Sequence, residues 1–271
     1  MSLIETQDLE TNLDKFKIID CSWHMPNTRR NGSEEFRLKH IPNSTFFNLD
    51  EYSKKETELP HMLVDFKEWE KIVSDMGINN DDEIVIYDNS DVLSACRCWY
   101  NFIYFGHKPS SVKVLNGGFQ KWIYENRSIS TELPKINKSN YKAKEIKRLV
   151  KDKKEIEKNI IKEEFNVIDA RSLDRFKGEV KEPRPGLRSG NIKNSTCIPF
   201  NQLINKNKTF KTKIEIIKIF KKNLKDKFPN NVVFSCGSGV TACVLALAYS
   251  LINDKYLPVI YDGSWAEYGI I

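Results

Sequence analysis

The chain is predicted to be an α/β protein made of two tandem copies of one domain, each a parallel sheet flanked by helices. Three observations carry that prediction. Short apolar runs of strand length alternate with helical segments, which implies parallel strands joined by helical crossovers. The alternation then starts again. Ile18-Ile19-Asp20 is echoed by Val167-Ile168-Asp169, and His40-Ile41-Pro42-Asn43-Ser44-Thr45 by Asn191-Ile192-Lys193-Asn194-Ser195-Thr196. Likewise Val85-Ile86-Tyr87-Asp88 is echoed by Val233-Phe234-Ser235-Cys236, and Asn116-Gly117-Gly118-Phe119 by Asp262-Gly263-Ser264-Trp265. The offsets are 149, 151, 148 and 146 residues, so order and spacing recur together, as in a duplicated domain. Third, residues 131–147 are polar, contain Pro134 and lack an apolar period, which reads as a linker between copies at 1–130 and 148–271.

In order along the first copy, Phe16–Asp20 reads as a strand ending in an acid, and Glu35–Asp50 as a loop leading into a second short strand. Asp65–Met76 has helical spacing (Phe66, Trp69, Ile72, Val73, Met76) and stops at Gly77. Glu83–Asp88 has the continuous apolar character of a buried strand, and Leu93–Phe105 that of an aromatic helix closed by Gly106. Val112–Leu115 is another strand, after which Asn116–Trp122 turns into a short helix.

Composition narrows the class. With 271 residues, 40% hydrophobic and 30% charged, the chain has enough material for two ordinary cores. No apolar run approaches the roughly 20 residues of a membrane span, and Met1–Thr6 has no secretory pattern, so a cytoplasmic protein without a membrane partner is expected. The net charge of +6 arises from lysines mixed with acids, as in Lys144–Glu164, not from a one-signed patch; no nucleic-acid partner is expected. The six cysteines lack paired spacing, and Cys96-x-Cys98 has no second ligand pair, so neither disulfides nor a metal is expected, and no other cofactor motif is read.

The most informative stretch is Val232–Ala248. A β-branched run ends at Cys236, and Gly237-Ser238-Gly239 opens onto an Ala/Leu/Val-rich segment: strand, tight loop, helix N-terminus. Loop N–H groups converge on the centre of such a turn, and the helix dipole adds positive charge there. Cys236 is therefore expected to act as a thiolate nucleophile, although a buried structural cysteine beside a glycine turn fits the same letters. The first copy has Asp88 at the matching place and cannot supply a thiolate, so the second copy is expected to be catalytic and the first to be scaffold.

These residues resemble the tandem-domain rhodanese family of sulfurtransferases. The resemblance spans Ile18 to Tyr268 and rests on His40-Ile41-Pro42, Leu115-Asn116-Gly117-Gly118-Phe119, Arg175-Phe176-x-Gly178, the cysteine loop and Tyr261-Asp262-Gly263-Ser264-Trp265. It implies two tandem rhodanese-like domains and a sulfane sulfur carried on Cys236 as a persulfide, then passed to cyanide or to a thiol acceptor, such as a thioredoxin-like protein or a low-molecular-weight thiol. The loop Cys236–Ala242 looks like that of the branch using 3-mercaptopyruvate; thiosulfate-specific members carry a basic pair where Gly237 and Ser238 stand. The resemblance further implies an Asp50–His61–Ser238 proton relay, with Arg175 and Arg184 on the carboxylate of the small-molecule donor and the loop of Gly237, Gly239, Val240 and Thr241 around the sulfur. Asn191 departs from the family histidine after Gly190, a change expected to affect loop hydrogen bonding.

Other readings compete. A cysteine phosphatase needs an arginine six residues after the cysteine, where Ala242 stands, so phosphate would lack its bidentate partner. A thiosulfate:cyanide sulfurtransferase is the alternative within the family, and a non-catalytic sulfur carrier or interaction module the alternative outside enzymes.

Overall fold

Each half of the sequence folds onto a five-stranded sheet in which every strand pairing is parallel. The computed structural model describes residues 2–224, 229–253 and 255–271. In the first half the strands are β1 (Leu3–Ile4), β2 (Lys17–Asp20), β3 (Ser44–Phe46), β4 (Ile84–Tyr87) and β5 (Val112–Leu115), ordered β1-β5-β4-β2-β3. In the second they are β6 (Val150–Lys151), β7 (Asn166–Asp169), β8 (Thr196–Cys197), β9 (Val232–Ser235) and β10 (Ile260–Tyr261), ordered β6-β10-β9-β7-β8. The two orders are the same permutation, and the central pairs align the repeated motifs: Ile18 opposite Val85 in one sheet, Val167 opposite Val233 in the other.

Helices α1 (Thr6–Glu10), α2 (Gly32–Leu38), α3 (Phe66–Asp75), α4 (Ala95–Tyr104) and α5 (Gly118–Tyr124) accompany the first sheet. The second has α6 (Lys153–Lys162), α7 (Leu173–Lys177), α8 (Lys213–Asn223), α9 (Ala242–Ser250) and α10 (Ser264–Tyr268). Capping explains several starts. Asp65 accepts from the N–H groups of Lys67 and Glu68 at 2.8 and 3.0 Å to open α3, and reciprocal Asp152–Glu155 and Thr212–Glu215 capping boxes open α6 and α8. Helix α3 buries one face through Trp69, Ile72 and Val73, and Trp69 stacks on Phe105 with centroids 4.7 Å apart. By contrast, α9 is buried from Ala242 through Tyr249, which is why its letters are apolar all round.

The core repeats as the letters do. One cluster joins Ile18, Ile41, Val85 and Phe119 beneath the first sheet; its counterpart joins Val167, Ile192, Val233 and Trp265. The chain forms two compact units: Met1–Lys55, Leu63–Ile146 and Lys206–Thr209 in the first, Glu56–Met62, Lys147–Asn205 and Phe210–Ile271 in the second. Residues 131–146 thus belong to the first unit, where they run as a strap: Tyr141 is fully buried, and the N–H groups of Ser139, Lys144 and Ile146 reach the carbonyls of Ser74, Phe105 and Tyr104 at 2.8–3.0 Å. The segment Glu56–Met62, which carries His61, belongs to the second unit. Among the described residues no helix is long and apolar enough to cross a membrane.

Candidate active site

Cys236 follows the last residue of β9, at the carboxyl end of a central strand where open α/β sheets place their ligands. It is 2% exposed. The loop that follows turns at Gly239, whose φ of +77° suits glycine, and enters α9 at Ala242. Its backbone donors divide into two sets. The N–H groups of Cys236 and Gly239 both donate to the Ser264 hydroxyl at 3.1 Å, and that hydroxyl donates onward to the Tyr261 carbonyl at 2.8 Å. The N–H groups of Gly237, Ser238, Val240, Thr241 and Ala242 find no acceptor among the described residues. Buried N–H groups are nearly always paired, so a loop that keeps several of them open is built for an anionic guest.

The first unit shows the same loop with the guest supplied by the chain. Asp88 follows β4 at the matching place, and its carboxylate accepts from the N–H groups of Ser90 at 3.0 Å and Ala95 at 2.6 Å. Burial raises the Asp88 carboxyl to about 6, and burial raises Asp20, at the end of the neighbouring β2, to about 7. An acceptor side chain therefore fills the first loop, where the second has a thiol and open donors.

His61 and Ser238 come together: His61 Nδ1 lies 2.9 Å from the Ser238 hydroxyl. His61 is 5% exposed and takes a left-handed backbone with φ of +62°, a conformation that costs energy for a non-glycine residue and aims the ring at the loop. Arg184 Nη2 donates to the same hydroxyl at 3.4 Å, so Ser238 stands between a base and a cation.

Arg175 and Arg184 flank Gly237: a Cβ there would lie 3.4 Å from Arg175 Nη2 and 3.6 Å from Arg184 Nη1. They are held differently. Arg175 is bound by Glu182, with Nη2 to Oε2 at 2.6 Å and Nε to Oε1 at 3.2 Å. Glu182 also accepts from Arg171 Nη1 at 2.8 Å, and Arg171 forks onto Asp169 with Nη2 to Oδ2 at 2.6 Å. Arg171 and Arg175 thus stand against Asp169 and Glu182 in one chain of ion pairs, while Arg184 meets the Ser238 hydroxyl. Arg171 and Glu182, with side chains 1% exposed, and Ser264 escaped the sequence reading. A signal existed for the first two in the alternation of opposite charges from Asp169 to Arg184; Ser264 stood in a repeated motif, but its role was hidden because its partners lie 25 and 28 residues away.

Asp50 lies in the first unit, where its carboxylate accepts from the Trp23 indole N–H at 2.9 and 3.0 Å. The odd Asn191 donates from Nδ2 to the Phe176 carbonyl at 3.0 Å, which ties the segment after Gly190 to the end of α7. Among the described residues no disulfide joins the six cysteines, and Cys197 is pushed up to about 12 by burial.

Comparison with known proteins agrees with this architecture. Residues 5–125 match the family model described as a rhodanese-like domain. The chain is 36% identical to thiosulfate/3-mercaptopyruvate sulfurtransferase 1, mitochondrial, of Arabidopsis thaliana, over 93% of this chain and 71% of the relative. It is 35% identical to the 3-mercaptopyruvate sulfurtransferase of Mus musculus, over 93% of this chain and 84% of the relative. The solved structure of SseA from Escherichia coli, described as a 3-mercaptopyruvate sulfotransferase, superposes with a TM-score of 0.85 at 27% identity, over 98% of this chain and 100% of that one. With both halves carrying the same sheet order and the relatives matched over most of their length, the chain belongs to the rhodanese family of sulfurtransferases.

Proposed function

We propose that the protein is a 3-mercaptopyruvate sulfurtransferase with Cys236 as its sulfur carrier. The observation that carries the reading is the cysteine loop, which has a buried thiol, five N–H groups without an acceptor among the described residues, and a Ser238–His61 pair 2.9 Å apart. In the first step the Cys236 thiolate attacks the donor sulfur. An S–S bond forms, the C–S bond of the donor breaks, and its electron pair leaves as the enolate of pyruvate. The enolate carbon takes a proton, and the proton from the donor's own thiol balances the step when Ser238 and His61 carry it across. The open N–H groups of Gly237, Ser238, Val240, Thr241 and Ala242 hold the resulting persulfide anion. A thiol acceptor, or cyanide, then attacks the outer sulfur and restores the thiolate.

Arg184 reads the donor's carboxylate, with Arg175 supporting it from its bond to Glu182. Gly237 leaves the space between the two guanidiniums to the donor. Asp50 enters the relay through the family resemblance, as the acid that sets the His61 tautomer. The spread of cysteines without paired spacing supports a reducing compartment, the cytoplasm, even though the Arabidopsis relative is named mitochondrial.

The test is a comparison of kcat/KM for 3-mercaptopyruvate and for thiosulfate, each with cyanide and with a dithiol as acceptor. The expected result is a preference for 3-mercaptopyruvate. A preference for thiosulfate by about tenfold or more, some 1.4 kcal/mol in transition-state binding, overturns the donor assignment in favour of the thiosulfate branch.

A further inference from the structure

Arg184 lies in the stretch Pro183–Arg188, which has no regular secondary structure of its own, yet the stretch is tied down at one end by several contacts from α10 and the residues after it. The Arg188 N–H donates to the Gly269 carbonyl at 2.8 Å, and the Ile271 N–H donates to the Gly186 carbonyl at 3.2 Å. Between them Leu187 and Ile270 form an antiparallel bridge. The Arg188 carbonyl accepts from the Trp265 indole N–H at 3.0 Å. The Arg188 guanidinium, although its residue is exposed, lies over two rings, 4.7 Å from the Trp265 centroid and 5.2 Å from that of Tyr268.

The other end of α10 serves the nucleophile. Ser264 begins the helix and takes the N–H groups of Cys236 and Gly239, while the N–H groups of Trp265 and Ala266 donate to the carbonyls of Cys236 and Gly237 at 2.9 Å. One short helix thus holds the cysteine loop through Ser264 and the backbone of Trp265 and Ala266, and the arginine loop through the side chains of Trp265 and Tyr268.

We propose that Arg188 is a positioning residue for Arg184: by seating its guanidinium on Trp265 and Tyr268 and pairing its backbone with Gly269, it fixes the arginine loop in register with the cysteine loop. The proposal rests on Arg184 as the residue that reads the donor anion. Its consequence is selective. Arg188 meets α10 through the Trp265 and Tyr268 side chains, whereas the cradle of Cys236 is held by the Ser264 hydroxyl and by the backbone N–H groups of Trp265 and Ala266. Loss of Arg188 should therefore weaken donor binding while the thiol keeps its surroundings. Two exposed cation–π contacts together are worth roughly a factor of ten in an equilibrium that depends on them.

The test uses the full chain and two readouts: steady-state kinetics, and the rate at which Cys236 is alkylated by iodoacetamide, a neutral reagent with no need of Arg184. For Arg188→Ala, KM for the donor is expected to rise about fivefold to tenfold, with kcat and the alkylation rate within about twofold of wild type. Arg188→Lys, which retains a cation over the rings, should recover part of that KM. Ile271→Pro removes the N–H that reaches Gly186 without touching Arg188, and should raise KM in the same direction. An unchanged KM in both Arg188→Ala and Ile271→Pro overturns the proposal, and so does an alkylation rate that falls in step with the KM change. The kinetics are read with whichever of 3-mercaptopyruvate and thiosulfate the wild-type enzyme turns over, so that an error in the donor assignment shows in the wild type and an error about Arg188 shows only in the variants.

Discussion

Ser238 is where the chemistry of single residues converges, because its hydroxyl meets the His61 ring at 2.9 Å and the Arg184 guanidinium at 3.4 Å. A hydroxyl so placed can pass a proton to the imidazole while the arginine holds the donor. Ser238→Ala removes the bridge and leaves the thiol and its open N–H groups in place. Turnover of 3-mercaptopyruvate is expected to fall about 10²-fold, the scale of a lost acid–base group, with little change in thermal stability. Unchanged turnover would show that the proton travels another way. The sequence offers Cys236, Ser238, His61, Asp50, Arg175 and Arg184 as candidates, but it does not distinguish the two arginines, whose partners differ. Arg175 is tied to Glu182, itself tied to Arg171, and these ties depend on loop geometry that spacing alone does not encode.

Among the elements, the repeated strand ends explain both what was legible and what was not. Strands β2, β4, β7 and β9 are short, apolar and buried on both faces, so they stand out as letters, and the four repeated anchors expose the duplication. Strands β1 and β6 are two residues long and become strands only by pairing with β5 and β10, so no local pattern announces them. The segment 131–147 reads as a linker because its polar letters carry no period; residues 131–146 are bonded along the first unit through backbone groups, which leave no mark on composition. The strand ends of the first sheet also carry a measurable charge effect. Burial raises Asp20 from the ordinary 3.8 to about 7, so the folded state keeps a proton that the unfolded chain has lost across that range. Stability contributed here is present at low pH and falls as pH rises from about 4 to about 7. Asp20→Asn keeps an acceptor for the Ser22 N–H and removes the ionisation. Its stability relative to wild type is expected to improve by about 2–3 kcal/mol between pH 5 and pH 8, at 1.36 kcal/mol per pKa unit. Denaturant melts at the two pH values check this, and an equal difference at both would contradict the buried, proton-holding carboxyl.

For the molecule as a whole, the duplication supplies two versions of one loop with opposite solutions. In the first, Asp88 fills the site with its own carboxylate; in the second, the loop after Cys236 carries five N–H groups without an acceptor among the described residues. That contrast supports sulfur transfer on a single half of the chain, with the other half as scaffold, and it sets the central claim: one cysteine of six carries the transferred sulfur. The direct measurement is peptide mass spectrometry after 3-mercaptopyruvate is added without acceptor, on the wild type and on Cys236→Ser. One added sulfur is expected on the peptide containing Cys236, none on the variant, and loss of the added mass when a dithiol follows. Added sulfur on any other cysteine, or turnover retained by Cys236→Ser, would contradict it.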